Sequence, residues 1–319
     1  MPEMPSMTGP MWMPTRPPTW LRLLIWHPQP IPVFLVLCIV AAVLYLLGVT
    51  TLRRRSVEWP VSRTISFIVG LLLIVAVTST GVGGYAMVLF SVHMSQHMVL
   101  NMVAPLFLLM GSPITLALRA LPSTDPSRRA LLTLLHSRFA RVISHPGFTI
   151  PLFLVSLYGV YFTPALDWAM SGWLTHNLMI AHFVLVGLLF FWPIMGVDPS
   201  PRRRSHPVRI GELLLTLPFH AFFGISIMMS TQMLNTYFMH VPPGWSVNPI
   251  DDQYAGGGIA WAFSEVPTLI VIGAVFLQWV RSDDRSARRR DRQADRDDDA
   301  ELTRYNERLA ALARFESTR

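Results

Sequence analysis

Long apolar runs, separated by short stretches that hold nearly all of the charge, make up most of the chain. A helix of about 20 apolar residues crosses a hydrocarbon core of roughly 30 Å. Seven such runs can be placed, near residues 31 to 52, 64 to 84, 86 to 110, 149 to 165, 173 to 196, 210 to 239 and 258 to 280. The pattern predicts an all-α polytopic membrane bundle over residues 31–280, preceded by an N-terminal tail over 1–30 and followed by a charged tail over 281–319. The sixth run, from Ile210 to Met239, exceeds what a span needs, so a kink is expected near Pro218.

The polar stretches alternate in charge. Arg53, Arg54, Arg55 and Arg63 follow the first run; Arg119, Arg128, Arg129, Arg138 and Arg141 follow the third; Arg202, Arg203, Arg204 and Arg209 follow the fifth. The stretches after the second, fourth and sixth runs carry no Arg. The positive-inside rule then predicts an outer N-terminus and a cytoplasmic C-terminus in a multi-pass protein of the cell membrane. In the tail, Arg alternates with Asp before Leu302, Leu309, Leu312 and Phe315, which predicts a solvated, weakly amphipathic helix.

Composition sharpens this picture. Of 319 residues, 52% are hydrophobic and 14% charged, which excludes a water-soluble globule. The net charge of +7 comes from Arg beside apolar runs, so it reads as topology and not as nucleic-acid binding. The single cysteine, Cys38, sits in the first run and excludes both an internal disulfide and a CxxC site. No basic segment precedes the first run, so no cleaved leader is expected and that span stays in the protein.

Ionisable side chains inside spans are costly and mark sites. In Ser91-Val-His-Met-Ser-Gln-His-Met98 the spacing puts His93 and His97 on one helical face, with Asn101 continuing it and Met94, Met98 and Met102 on an adjacent stripe. Two imidazoles one turn apart can ligate a metal, and thioethers favour a soft ion such as Cu(I); interhelical hydrogen bonds and packing are the plainer alternatives. At about 1.5 Å of rise per residue, His93, His97, His176, His182 and Glu265 fall at similar depths, roughly 5 to 16 Å from the outer surface. Met229 and Met233 are expected one turn apart at the same level, and His220 in the cytoplasmic third, bonded across helices. Glu265 is expected to face inward, paired with an imidazole or near a cation. Met1, Met4, Met7, Met11 and Met13 in the N-terminal tail have a spacing that could capture Cu(I), or simply reflect chance.

Several ordered motifs resemble a known family. They are His93-Met-Ser-Gln-His-Met98, Ala104-Pro105 and Gly111-Ser-Pro113; Trp173-Leu-Thr-His176, Phe190-Phe-Trp-Pro193 and Gly196-Val-Asp-Pro199; Pro218-Phe-His-Ala-Phe-Phe-Gly224; and Asp252-Gln253, Gly256-Gly257, Trp261 and Glu265-Val-Pro267. Together they resemble the CtaG-type multi-span cytochrome c oxidase assembly factors over most of the chain. Ser264 stands where that pattern has Gly, and the charged tail has no counterpart in it. The resemblance implies a non-enzymatic protein that helps mature a haem-copper oxidase, with copper as a transient cargo. It implies His93, His97 and His176 as ligands, with His182 beside them by depth, and Asp252 and Gln253 on an outer loop as a shaping or access element. The expected partners are oxidase subunits, membrane lipids and a soluble copper donor. Two alternatives stay open: a b-type haem redox protein with axial ligands drawn from the same four histidines, and a metal or proton transporter using Glu265 and the histidines as a relay, against which only Glu212 and His220 extend toward the cytoplasm.

Overall fold

The computed structural model describes residues 8–202, 204–296 and 300–317; Met1, Met4, Met7 and Arg203, singled out above, lie outside them. The chain divides into two units, residues 1–271 and 272–319. The first opens with a short α1 (Trp20–Leu24) and the spans α2 (Val33–Arg54) and α3 (Val61–Ser79). A glycine-rich α4 (Gly81–Tyr85) leads into a segmented third span. Its pieces are α5 (Phe90–Met98), a π-helical turn (Val99–Val103), α6 (Ala104–Met110) and α7 (Pro113–Ala120). Then come α8 (Pro126–His136), α9 (Arg138–Ile143), α10 (Pro146–Tyr161), α11 (Ala165–Met170), α12 (Trp173–Met195) and α13 (His206–Met228). A 3-10 turn, Tyr237–Met239, precedes α14 (Pro249–Arg296). The second unit holds the end of α14 and α15 (Ala300–Ser317), on which Leu309 and Leu312 are exposed.

Among the described residues the fold is helical, with only two isolated bridges, Thr8 to Gly172 and Trp26 to Thr80. Six stretches are long and apolar enough to cross a membrane: Val33–Arg54, Val61–Ser79, Phe90–Ala120, Trp173–Met195, His206–Met228 and Pro249–Arg289. The fourth expected span folds as the 16-residue α10, also apolar but shorter. The protein is a multi-pass membrane helical bundle.

One expected element differs. The sixth run ends at Met228, with Pro218 inside it, and residues 229–236 turn instead of continuing the helix. Ser230, Thr231, Gln232, Asn235 and Thr236 give this stretch side chains that compete for backbone bonds, which overrides its apolar average. Asp167 accepts from the backbone of Thr236 (3.2 Å) and Tyr237 (2.9 Å), and Gln253 holds Leu234 (2.9 Å) and Gln232 (3.1 Å).

The third span is interrupted twice, for identifiable reasons. Pro105 has no N–H for the Asn101 carbonyl one turn back, and the ladder ahead of it widens into the π turn. Gly187 of α12 fills the approach to that carbonyl: a Cβ there would lie 2.0 Å from the Asn101 oxygen and 2.8 Å from Pro105 Cγ. The second break is at Ser112, held in the left-handed region at φ 50°. Tyr45 donates to the buried Gly111 carbonyl (2.8 Å) and receives the Trp59 indole N–H (3.2 Å).

Beyond the break, Asp198 caps α7 from the loop after α12, accepting from Ile114 N (3.2 Å), Thr115 N (2.9 Å) and Thr115 Oγ1 (2.6 Å). Burial raises its carboxyl above the ordinary range, while Thr115 and Ile114 pull it back. The Gly-Ser-Pro and Gly-Val-Asp-Pro motifs are therefore one structural unit. Nearby, the buried Arg209 donates to the Ile194 carbonyl and to Met195 O (2.6 Å), the last turn of α12. Arg204 pairs with Glu212 and donates to the Ser144 carbonyl.

Two outcomes follow. Asp198→Ala is expected to lower stability by about 2 kcal/mol, since it removes three donors' acceptor at a buried helix start; thermal unfolding in detergent measures it. Gly187→Ala, which drives a methyl into the Asn101 carbonyl, is expected to cost about 1 to 3 kcal/mol by the same assay. Gly211→Ala, with open space around it, serves as the silent control.

Candidate functional site

The candidate residues of the third span gather at its α5 end. Helix α5 starts at Leu89, which offers no side-chain cap. Asp252 of α14 supplies one, accepting from Ser91 N (3.3 Å) and from the Ser91 hydroxyl. With the start of α5 fixed, His93 and His97 project from one face, each 1% exposed.

His97 is tightly held. Its Nδ1 lies 2.6 Å from the Tyr161 hydroxyl at the end of α10, and its ring stacks on Phe183 of α12 at 3.6 Å. His93 sits between Tyr161 (5.9 Å) and Phe238 (5.5 Å), the latter in the turn after α13. His176, in the first turn of α12, is within electrostatic reach of His93. It lines a cavity of about 20 Å³, room for one water-sized species, together with Met11, Gln29, Gln96, Trp173 and Asn177.

These buried rings are short of partners. His97 Nε2, His176 Nδ1 and Asn101 Oδ1 have none, and neither His93 nitrogen makes a well-formed hydrogen bond, although the Ala86 backbone lies close. A buried polar atom without a partner costs about 1 to 3 kcal/mol, so each of these calls for an explanation.

Other expected members are placed elsewhere. His182 is half-buried and bonds Ser156 of α10 at 2.5 Å, which commits its Nε2. Glu265 is not turned toward a histidine: it accepts the Trp261 indole N–H at 2.5 Å, one turn back on a half-exposed face of α14. Met229 ends α13 and is 77% exposed, and Met233 lies in the turn beyond, so the two do not share a helical face. Asp252 and Gln253 stand in the first turn of α14 and not on a loop, where they fix α5 and the turn after α13. His220 is buried with its ring 5.0 Å from Phe153 of α10, and its Nε2 has no hydrogen-bond partner. Met94 and Met98 are fully buried.

Among the described residues, no three His, Cys, Asp or Glu side chains are arranged around one metal position. The four histidines therefore do not form a closed cage. Tyr161, Phe183 and Phe238 emerge as neighbours of the histidines that sequence spacing does not single out. Their partners lie in other helices, and no local pattern marks them. The Trp261 and Glu265 pair, in contrast, was readable from its four-residue separation.

Similar sequences occur in mycobacteria. An uncharacterised protein of Mycobacterium bovis and another of Mycobacterium tuberculosis are each 46% identical over 284 residues, and one of Mycobacterium leprae is 43% identical over 286. Each alignment covers 87% of this chain but 43% of the relative, so the chain spans less than half the length of these proteins. No solved structure matches the chain. Residues 43–282 match the family described as cytochrome c oxidase caa3 assembly factor, which takes in the third span, α12, α13 and the membrane part of α14. The chain belongs to the cytochrome c oxidase caa3 assembly factor family.

Proposed function

We propose that this chain assists cytochrome c oxidase assembly by holding copper for transfer, without catalysing a reaction, with its arginine-rich end in the cytoplasm and its histidine end outside. Copper is the cargo here, not a resident cofactor. The observation that carries the reading is the set of buried imidazole nitrogens without hydrogen-bond partners, on His93, His97 and His176. Neutral imidazoles in a dry site are good donors to Cu(I), and thioethers complement them. Met11 shares the His176 cavity, while Met94 and Met98 are buried beside the histidines in the same helix.

Tyr161 gives His97 a defined role in this reading. With Nδ1 engaged by the phenol, Nε2 is the nitrogen left to meet an ion, and the Phe183 stack fixes the ring plane. A donor set of few imidazoles and no carboxylate suits release as much as capture, because a client with better ligands can strip the ion. The small volume beside His176 suits a single ion better than a porphyrin. Glu212, committed to Arg204, is poorly placed to serve as a proton relay.

The decisive comparison sets wild type against a His93→Ala, His97→Ala double variant, both purified in detergent under reducing conditions. Copper that falls from near stoichiometric to background in the variant, with no Soret band in either protein, is the expected result. Equal copper in both, together with unimpaired oxidase maturation in cells, would show that the site is wrongly assigned, and a Soret band would turn the reading to haem. Tyr161→Phe is expected to weaken copper retention by about 10- to 100-fold in a chelator competition and to lower stability by about 1 to 3 kcal/mol in thermal unfolding, since it leaves His97 Nδ1 buried without a partner.

A further inference from the structure

At the arginine-rich end, three arginines from three elements face one cleft of about 760 Å³: Arg53 at the end of α2, Arg63 in the first turn of α3 and Arg119 at the end of α7. Glu58 is the only acid lining it. Among the described residues no carboxylate lies within ion-pair distance of Arg53, Arg63 or Arg119, although the Asp198 carboxylate is within electrostatic reach of Arg63. Arg63 lies instead over the Trp59 ring at 5.1 Å, which holds its guanidinium in the cleft.

Next to this cleft runs an apolar groove of about 500 Å³ between α2 and α7. Leu44, Leu47 and Gly48 form one wall, and Leu116, Ala117 and Leu121 the other. The two spaces are joined physically. Trp59, in the cleft, donates to Tyr45, in the groove; Arg119 sits between Ala117 and Ala120, both in the groove. A cationic cleft, with three arginines against one lining carboxylate, opening onto a hydrocarbon-lined groove at the end of a membrane span has the polarity of one molecule type.

We infer that an anionic phospholipid binds here, its headgroup phosphate in the cleft of Arg53, Arg63 and Arg119 and an acyl chain along the groove between α2 and α7. The phosphate meets guanidinium donors that match it in charge and shape, and the chain covers apolar surface on two helices at once. The site is separate from the histidines, and the inference holds whatever metal they bind. A lipid seated there would tie α2 to the segmented third span, whose break at Ser112 lies next to the groove-lining Pro113.

The test uses the full chain, purified in detergent and delipidated, with phosphatidylglycerol, phosphatidylcholine or inorganic phosphate added and bound species counted by native mass spectrometry. The expected result is one phosphatidylglycerol retained per chain, at least tenfold more tightly than phosphatidylcholine, and not displaced by millimolar phosphate. Each arginine near such a surface is worth about a fivefold change in affinity, so Arg53→Gln, Arg63→Gln, Arg119→Gln together should weaken phosphatidylglycerol on the order of 100-fold. Ala117→Phe, which fills the groove and keeps the charge, should also release the lipid. Equal retention of the two lipids, or undiminished phosphatidylglycerol in the triple variant, overturns the inference. Competition by inorganic phosphate would reduce the site to a free-anion cleft and overturn it equally. The triple variant leaves the apolar walls of the groove unchanged, so it decides the matter even if Ala117→Phe fails to fold.

Discussion

A helix that stops or breaks within a bilayer leaves amides and carbonyls where no water can reach them, and this bundle meets that constraint with side chains from distant helices. Asp252 serves the start of α5, Asp198 the start of α7 and Arg209 the end of α12. Tyr45 takes up the carbonyl at the Ser112 break. All but the Arg209 bond, which links consecutive helices, join elements far apart in sequence, so the same contacts that satisfy the backbone also set how the spans pack. The segmented third span is tolerable only because of them.

The histidines depend on that scaffold. His93 and His97 face one way because α5 begins where Asp252 fixes it, and His97 is oriented because α10 ends with Tyr161 against it. The π turn one step further on, with Gly187 pressed to the Asn101 carbonyl, brings α12 close enough to stack Phe183 on His97. Rigid aromatic packing on one ring nitrogen and an unpartnered second nitrogen is an arrangement that separates positioning from binding. The costs of leaving such nitrogens bare are borne by the surrounding fold, which is tightly packed at these positions.

Much of the bundle was legible in the sequence because membrane spans announce themselves by length and apolarity alone. The histidine pair was legible too, since a separation of four residues fixes a shared helical face. The failures share a cause. Hydropathy averaged over Ile210 to Met239 could not see that short polar side chains after Met228 would turn the chain, and the positions of Met229 and Met233 were wrong in consequence. Depth along an axis put Glu265 level with the histidines but carried no information about which way it points; the indole four residues back decides that. Tyr161 and Phe238 reach the site through tertiary packing, to which a single sequence is blind. The Gly-Ser-Pro and Gly-Val-Asp-Pro motifs were visible as motifs, but that one caps the other could be learned only from their meeting in space.

The Asp252 cap lies 161 residues downstream of the serine it holds. During synthesis the histidine-bearing helix is therefore inserted long before the residue that fixes its first turn has been made. Until α14 emerges and docks, the amides at the start of α5 have no acceptor and the aim of His93 and His97 is unsettled. Phe238, on the turn just before α14, arrives equally late. The geometry of the pocket is in this sense completed late: it needs α14, so a chain that has not yet reached that helix carries the histidines without their pocket.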